Sequence, residues 1–147
     1  MKALLQRVTE ASVSANGRTL GRIDGGLLVL LGLDKADDQA VADRLLNKLL
    51  AYRVFPDEEG RMNCSITDTG GGILLVSQFT LAADTRKGLR PSFSSALTPA
   101  LAKPLFEWTL AELSRRHAGA VATGEFGADM QVALVNDGPV TFLLEAG

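Results

Sequence analysis

The chain is poor in the side chains from which most metal and redox sites are built. Its 147 residues include one cysteine, Cys64, and one histidine, His117. No intramolecular disulfide can form, and a His/Cys metal site needs several converging donors. Carboxylates could still form a site, but no spacing of Asp and Glu suggests one. We therefore expect neither a metal nor another cofactor.

Long apolar runs are missing as well. The longest, residues 27–31, is far too short to cross a bilayer. The N-terminal segment meets charges at Lys2 and Arg7 and lacks the apolar stretch of a signal peptide. We expect a cytoplasmic protein with no membrane partner.

Positive charge is scarce: the chain has 15 Lys and Arg and 17 Asp and Glu, which give a net charge of −2. Gripping a long duplex through many phosphates needs a basic face, so we expect no DNA partner. Basic residues do cluster at Arg86-Lys87-Gly88-Leu89-Arg90 and at Arg115-Arg116-His117. The first cluster is either an ordinary solvated loop or a local binding site for a short single-stranded end of a nucleic acid.

What the chain has in quantity is apolar residues, which make up 46% of the sequence and are spread from end to end. This content predicts one domain over residues 1–147, with a core that needs no disulfide. Alternating polar and apolar residues predict a strand over residues 3–14, and Asn16-Gly17 predicts a hairpin to a return strand over residues 18–24. The apolar run at residues 27–33 predicts a buried third strand.

Two segments have helical periodicity. Residues 37–52 predict an amphipathic helix, with three aspartates near its start to complement the helix dipole. A second helix is expected over residues 104–117, because Pro104 should interrupt an earlier start at Thr98-Pro99. His117 would then lie near the last carbonyls of that helix, which favour a histidine.

The rest of the chain reads as short strands and loops. Strands are expected at residues 53–55, 63–67, 73–81, 120–123, 130–135 and 140–145. Residues 82–98 predict a loop, and Asn136-Asp137-Gly138-Pro139 joins the last two strands. The predicted fold class is α/β of the α+β type: a single domain with a mostly antiparallel sheet or barrel and two packed helices.

Polar groups follow the strand at residues 73–81. Ser77-Gln78-Phe79-Thr80 supplies hydroxyl, amide and aromatic groups there, which suits a ligand site but also describes an ordinary strand end. Gly138-Pro139 is either a turn or a candidate cis peptide. Cys64 fits a small apolar filler better than a nucleophile. These residue types alone indicate a polar cleft and leave its role open.

Five motifs, in order along the chain, resemble the D-aminoacyl-tRNA deacylase family, also called D-tyrosyl-tRNA deacylase. They are Gln6-Arg7-Val8 with Ala11-Ser12-Val13, Ser77-Gln78-Phe79-Thr80-Leu81, Lys87-Gly88 with Arg90-Pro91-Ser92-Phe93, Phe126-Gly127-Ala128-Asp129-Met130, and Asn136-Asp137-Gly138-Pro139-Val140-Thr141. The resemblance covers essentially the whole chain, although Leu89 stands where the family pattern has Asn. It implies a D-aminoacyl-tRNA deacylase-like fold and hydrolysis of the ester bond of D-aminoacyl-tRNA.

The resemblance also implies a homodimer with a chiral filter. Gly138-Pro139, with its peptide bond cis, would project into the partner subunit's active site. Its carbonyl oxygens would hold the substrate's α-amino group and leave no room for the side chain of an L-amino acid, so that selection is by exclusion. Glycine would pass, which implies a second role in clearing glycine mischarged on tRNA.

Roles for other residues follow from the same resemblance. The catalytic residues would be Ser77, Gln78, Phe79 and Thr80. Phe126 and Met130 would enclose the terminal adenosine, and Arg7 would brace the Gly-Pro element unless it is a plain surface arginine. Lys87 and Arg90 would contact phosphates of the tRNA acceptor end.

Thr80 could serve as a nucleophile or only position the substrate. A threonine hydroxyl needs a nearby base, and the sequence offers no obvious one. We therefore expect the ribose 2′-hydroxyl to assist attack by water, while the backbone N–H of Phe79 or Thr80 stabilises the oxyanion.

Two other functions remain open from the sequence. The chain could be a non-catalytic binding module for RNA 3′ ends, using Ser77 to Thr80 for stacking and hydrogen bonds only. It could also hydrolyse another acyl ester with Ser77, Thr80 or Cys64 as the nucleophile.

Overall fold

The computed structural model describes all residues from Met1 to Gly147. Its strands are β1 (Lys2–Ala15), β2 (Arg18–Ile23), β3 (Gly26–Gly32), β4 (Arg53–Pro56), β5 (Met62–Ser65), β6 (Gly72–Ser77), β7 (Val121–Thr123) and β8 (Gln131–Glu145). Its helices are α1 (Gln39–Ala51), the single turn α2 (Ile66–Thr69) and α3 (Pro99–Arg116), with one 3₁₀ turn at Phe79–Ala82. No helix is both long enough and apolar enough to span a membrane.

The strands form a mixed sheet and a separate β4–β5 hairpin. The sheet has the order β2-β1-β3-β6-β7, with β8 paired along the other edge of β1. The pairs of β1 are antiparallel, whereas β3–β6 and β6–β7 are parallel. The sheet nearly closes where Gly21 of β2 meets Thr123 of β7, because a Cβ on Gly21 would lie 2.6 Å from the carbonyl oxygen of Thr123. The predicted α+β fold is confirmed.

Both faces of the sheet are covered. The larger apolar cluster contains 23 buried residues and lies between the sheet and the helices α1 and α3. The smaller cluster contains 7 buried residues on the opposite face. In β3, Leu27 and Val29 belong to the larger cluster and Leu28 to the smaller one. A strand covered on both faces explains why this segment is a continuous apolar run.

The aspartates before α1 have different roles from the one predicted. Asp38 is the N-cap, and its side chain accepts a hydrogen bond from the Val41 N–H at 2.9 Å. Asp34 and Asp37 instead pair with the buried amino group of Met1, each at 2.8 Å. The first turn of the helix contains no acidic residue.

Helix α3 begins at Pro99, five residues before the predicted start, and continues through Pro104 to Arg116. A proline at this point removes one hydrogen bond, to the carbonyl of Ala100. Ala100 is exposed, so water can satisfy that oxygen. The prediction that Pro104 interrupts the helix was therefore wrong.

Two predicted strands are shorter than expected. The strand predicted at residues 63–67 ends at Ser65, because Ser65 and Asp68 form a capping box that starts α2. The strand predicted at residues 73–81 ends at Ser77, and the next residues form the 3₁₀ turn. Its neighbour β3 ends at Gly32, so no partner strand continues beyond this point.

The two strands predicted at the end of the chain are one strand with a bulge. Both halves of β8 pair with β1, with Val8 opposite Asn136 and Gln6 opposite Thr141. Four residues of β8, 137–140, therefore stand opposite the single residue Arg7. The interpretation of Gly138-Pro139 as a turn between two separate strands was wrong.

Candidate functional site

An apolar cavity of about 620 Å³ opens where β3 and β6 end. Its walls come from the end of β6, the loop that leads into α3, the first turns of α3, and residues 126–132. Most of the lining side chains are hydrophobic, and Ser77 and Gln78 bring polar groups to one end. A concave apolar site with a few converging polar groups is typical of small-molecule and nucleotide sites.

The polar end of the cavity is held in place by the end of the sheet. Leu31 of β3 accepts a hydrogen bond from the Gln78 N–H at 2.8 Å, after which the chain turns away as the 3₁₀ turn. Gly32 permits a tight contact here, because a Cβ at that position would lie 2.7 Å from the Cβ of Leu81. The turn has no side-chain cap, so the N–H groups of Phe79 and Thr80 are left free to donate.

The side chain of Thr80 makes one hydrogen bond, with Gln78. The side-chain amide of Gln78 donates from Nε2 to Thr80 Oγ1 at 2.5 Å. The Thr80 hydroxyl therefore accepts one hydrogen bond and keeps its own proton available for another acceptor. Thr80 itself is not among the residues that line the cavity. Asp129 does line it, but no hydrogen bond joins Asp129 to Ser77 or Thr80.

The single histidine and cysteine lie elsewhere. His117 follows α3, is 94% buried, and its Nε2 lies 2.7 Å from the carbonyl oxygen of Gly71. The ring was predicted to interact with the last carbonyls of its own helix. It instead contacts Gly71 and so joins the end of α3 to the start of β6. Cys64 lies in β5 and packs against the larger apolar cluster. No three His, Cys, Asp or Glu side chains are grouped so that they could hold a metal ion.

The structure brings Phe126 and Met130 to the same cavity as Ser77, Gln78 and Phe79. Phe126 packs against Phe106 of α3, with ring centroids 5.9 Å apart. These two segments are about fifty residues apart in the sequence, and only the position of β7 next to β6 unites them.

Gly138 and Pro139 lie outside this cavity. They are exposed on the bulge of β8, and the peptide bond between them is cis. Gly138 has φ +140°, and a Cβ there would lie 2.6 Å from a methyl group of Val140. Asn136 steadies the bulge, because its Oδ1 accepts a hydrogen bond from the Val140 N–H at 3.0 Å.

Arg7 braces the bulge from β1. Its side chain is only 13% exposed. Nε donates to the carbonyl oxygen of Asp137 at 3.0 Å, and Nη1 donates to the carbonyl oxygen of Val54 at 2.7 Å. Arg7 is therefore not a plain surface arginine, since it joins the bulge to the β4–β5 hairpin.

Lys87 and Arg90 are exposed in the loop between the 3₁₀ turn and α3 and do not line the cavity. Their neighbour Arg86 is already paired, through a bidentate contact with Asp84 at 2.9 and 2.7 Å. These side-chain hydrogen bonds hold the pKa of Asp84 well below its usual range. Lys87 and Arg90 are free of such carboxylate partners.

Sequence reasoning gave no site role to several residues that line the cavity. Phe93 and Leu97 reach it from the loop, and Ala102 and Phe106 reach it from α3. Phe93 belongs to the motif Arg90-Pro91-Ser92-Phe93 and could have been found there. Phe106 lies within the helix expected over residues 104–117, and a place in that helix does not by itself reveal the cavity.

Strand β8 leaves one edge of the sheet open. It pairs only with β1, and its fifteen residues are mostly exposed. The exposed apolar side chains along it are Val132, Val135, Phe142 and Leu143. A long apolar edge strand invites pairing with another chain.

The nearly closed sheet, the cavity at the end of β6 and the braced bulge define a single-domain α+β protein with a concave, largely apolar binding site. Over residues 4–145 the chain matches the family model described as D-Tyr-tRNA(Tyr) deacylase. The chain belongs to this family, and the resemblance inferred from the five motifs is confirmed.

Similar proteins agree with this assignment. A D-aminoacyl-tRNA deacylase from Stutzerimonas stutzeri is 63% identical over 146 residues, which are 99% of this chain and 100% of the relative. A protein of the same name from Teredinibacter turnerae is 60% identical with the same coverage.

Two solved structures are also similar. One, described as c-Myc DNA Unwinding Element Binding Protein, has a TM-score of 0.96 and 40% identity, and the match covers 100% of this chain and 99% of that one. The other, described as a probable eukaryotic D-amino acid tRNA deacylase, has a TM-score of 0.84, with 97% of each chain covered. At 15% identity, this second match supports the fold alone.

Proposed function

We propose that the protein hydrolyses the ester bond of D-aminoacyl-tRNA, releasing the D-amino acid and tRNA. The observation that carries the proposal is the position of Ser77 to Phe79 at the polar end of the apolar cavity, in a chain similar over its whole length to proteins named for this reaction. Aminoacyl-tRNA is made and used in the cytoplasm, so we propose that the enzyme acts there.

The terminal adenosine of tRNA would occupy the cavity. Phe126 and Met130 offer apolar surface for a nucleobase, and the volume of about 620 Å³ leaves room for the ribose and the esterified amino acid. The ester carbonyl would then lie beside Ser77 and the 3₁₀ turn. This pose places the reacting bond beside the polar groups of Ser77 and Gln78.

Hydrolysis would proceed by direct attack of water on the ester carbonyl carbon. The free N–H groups of Phe79 and Thr80 would stabilise the oxyanion. The ribose 2′-hydroxyl would assist the water, and the bond from the carbonyl carbon to the 3′ oxygen would break as that oxygen takes a proton. Thr80, which accepts a hydrogen bond from Gln78, would donate its own proton to orient the substrate.

Selection for D-amino acids would come from a second copy of the chain. Within one chain, Gly138 and Pro139 are exposed and lie outside the cavity, as expected for groups that act on a partner. The carbonyl oxygens of this segment would hold the substrate ammonium and block the position of an L side chain. Glycine has no side chain to exclude, so glycyl-tRNA would also be hydrolysed.

The homodimer itself is favoured by the open edge of β8. Four exposed apolar side chains and the bulge lie on this one strand. Pairing two such edges would bury the apolar residues and carry each bulge toward the other subunit.

Contact with the rest of tRNA would be limited. Lys87 and Arg90 are the proposed phosphate contacts near the acceptor end. With a net charge of −2, the chain has no large basic footprint for duplex nucleic acid. DNA binding, which the name of the 40% identical structure describes for that protein, therefore gains no support from the charge of this chain.

The direct experiment is incubation of the purified protein with D-tyrosyl-tRNA and measurement of released D-tyrosine. Catalytic release supports the proposal. Tight binding without turnover would favour a module for RNA 3′ ends. A trapped covalent adduct on Ser77, Thr80 or Cys64 would favour an acyl-ester hydrolase that uses a side-chain nucleophile.

A further inference from the structure

Phe79 and Phe93 form an aromatic pair at the rim of the cavity. Their ring centroids are 5.1 Å apart and the ring planes are inclined at 51°. Both side chains line the cavity, yet Phe79 is 61% exposed and Phe93 is 44% exposed. Since each ring faces both the cavity and solvent, the pair lies where the cavity opens.

The loop that carries Phe93 is fastened to the turn that carries Phe79. Asp84 and Ser92 exchange two backbone hydrogen bonds of 2.8 and 3.0 Å. Ser95 Oγ donates to the carbonyl oxygen of Ala82, at the end of the 3₁₀ turn, at 2.5 Å. The segments that carry the two rings are therefore tied together at the mouth of the cavity.

The same segment carries the unpaired cations. Lys87 and Arg90 lie between Asp84 and Ser92, within the loop that those hydrogen bonds close. Positive charge next to exposed aromatic rings is the combination that single-stranded nucleic acid requires, since bases stack on the rings and cations accompany the backbone. An exposed apolar pair alone would not indicate this ligand.

We infer that the Phe79–Phe93 pair is the stacking surface for the base of the nucleotide immediately 5′ of the terminal adenosine. The inference rests on the proposed function, which places that adenosine inside the cavity. A chain leaving the cavity must pass its rim, where the pair lies. The contact would recognise the strand by stacking, so it would tolerate different bases at that position.

Two substrates test the inference. D-tyrosyl-tRNA contains the 5′ nucleotide, whereas D-tyrosyl-adenosine contains only the terminal nucleoside. Phe93→Leu removes the aromatic face and keeps an apolar side chain, and Phe93→Tyr restores the face. Leu20→Ala on β2 is the matched control, because Leu20 is 38% exposed and lies away from the cavity.

For Phe93→Leu, kcat/KM on D-tyrosyl-tRNA should fall about tenfold, equivalent to about 1.4 kcal/mol and within the range of one base–aromatic stack. The loss on D-tyrosyl-adenosine should be clearly smaller, because Phe93 also borders the cavity but the nucleoside lacks the base that would stack on the pair. Phe93→Tyr and Leu20→Ala should both match the wild type on the two substrates.

Three results would overturn the inference. Equal losses on both substrates would assign Phe93 to the adenosine cavity itself, and no loss on either would leave the pair without a role in binding. If the wild-type protein hydrolyses neither substrate, the proposed function fails and the inference fails with it. The first two results leave the proposed function standing, so the two failures are distinguishable.

Discussion

The Nε of Arg7 donates a hydrogen bond to the carbonyl oxygen of Asp137 at 3.0 Å, and this contact spans the bulge of β8. The same guanidinium reaches Val54 on the β4–β5 hairpin. One side chain on β1 thus holds the residue directly before Gly138 and Pro139, the groups proposed to exclude L-amino acids. Chiral selection should therefore depend on a residue that never touches the substrate.

Replacing Arg7 tests this dependence. Arg7→Met should lower kcat/KM for D-tyrosyl-tRNA at least tenfold and reduce the D/L ratio, because hydrogen bonds from a charged donor contribute about 1.5 to 3 kcal/mol. Arg7→Lys should be nearly as impaired, since an ammonium lacks the fork that spans two carbonyls. Both enantiomeric substrates should be assayed with each variant.

Arg22→Met is the matched control, since Arg22 lies on β2 with a side chain that is 60% exposed and makes only surface ion pairs. It should behave as the wild type. An Arg7→Met enzyme that kept the wild-type D/L ratio would show that the brace is not needed for selection.

The proposed dimer can be broken at the edge of β8. Leu143→Asp should yield monomers in analytical ultracentrifugation, because burying an unpaired carboxylate is unfavourable. The monomers should lose activity, since each cavity would lack its partner's bulge. Leu101→Asp on α3, where Leu101 is 63% exposed, should leave both the dimer and the activity intact. A fully active monomer would refute the cross-subunit filter.

A substitution can show whether Thr80 orients the substrate by a hydrogen bond or attacks it as a nucleophile. Thr80→Val should lower kcat by about tenfold or less, since one orienting hydrogen bond contributes about 1 kcal/mol. Substrate binding should be retained. Thr19→Val on the exposed strand β2 serves as the control. Abolished turnover with intact binding would instead support nucleophilic attack by Thr80.

A substrate whose terminal adenosine lacks the 2′-hydroxyl tests the proposed role of that hydroxyl. If the ribose hydroxyl assists the attacking water, kcat for D-tyrosyl-tRNA with this change should fall by a factor of about 10² to 10⁴, the usual range for general acid–base catalysis. Normal turnover of the deoxy substrate would contradict the proposed assistance.

The pH dependence of Asp84 follows from its contact with Arg86. Hydrogen bonds from the Arg86 side chain lower the pKa of Asp84 below its ordinary value of 3.8. A lowered pKa in the folded state means that the contact stabilises the fold above about pH 4 and is lost as the pH falls further. The effect should be small and weakened by salt, because the Arg86 side chain is 85% exposed.

Carbon-13 NMR of the Asp84 carboxyl checks this prediction. Its titration midpoint should lie below 3.8 in the wild type and shift upward in Arg86→Gln. A midpoint at the ordinary value in the wild type would mean that the loop pair does not form in solution.

The elements that the sequence predicted well are those whose patterns are local. β1 to β3 and α1 appear within about two residues of the expected bounds, because each has a clear period or a strong turn signal. The end of β6 could not be placed, since Phe79 and Leu81 continue the apolar pattern while the partner strand β3 stops at Gly32.

The bulge of β8 is a second case in which strand pairing, rather than the local sequence, determines the structure. Asn136-Asp137-Gly138-Pro139 has the composition of a turn, and only the pairing of both flanks with β1 makes the segment a bulge. Its exposure outside the cavity is likewise invisible in sequence. The motif gave the residues of the candidate site, whereas the relation between the bulge and the cavity required coordinates.

We propose that the protein hydrolyses D-aminoacyl-tRNA and rejects the L form. The most direct measurement compares initial rates on D-tyrosyl-, L-tyrosyl- and glycyl-tRNA with the same preparation of wild-type protein. We predict rapid release from the D-tyrosyl and glycyl substrates and no release above the uncatalysed rate from the L-tyrosyl substrate. Equal hydrolysis of the D and L substrates would contradict the account.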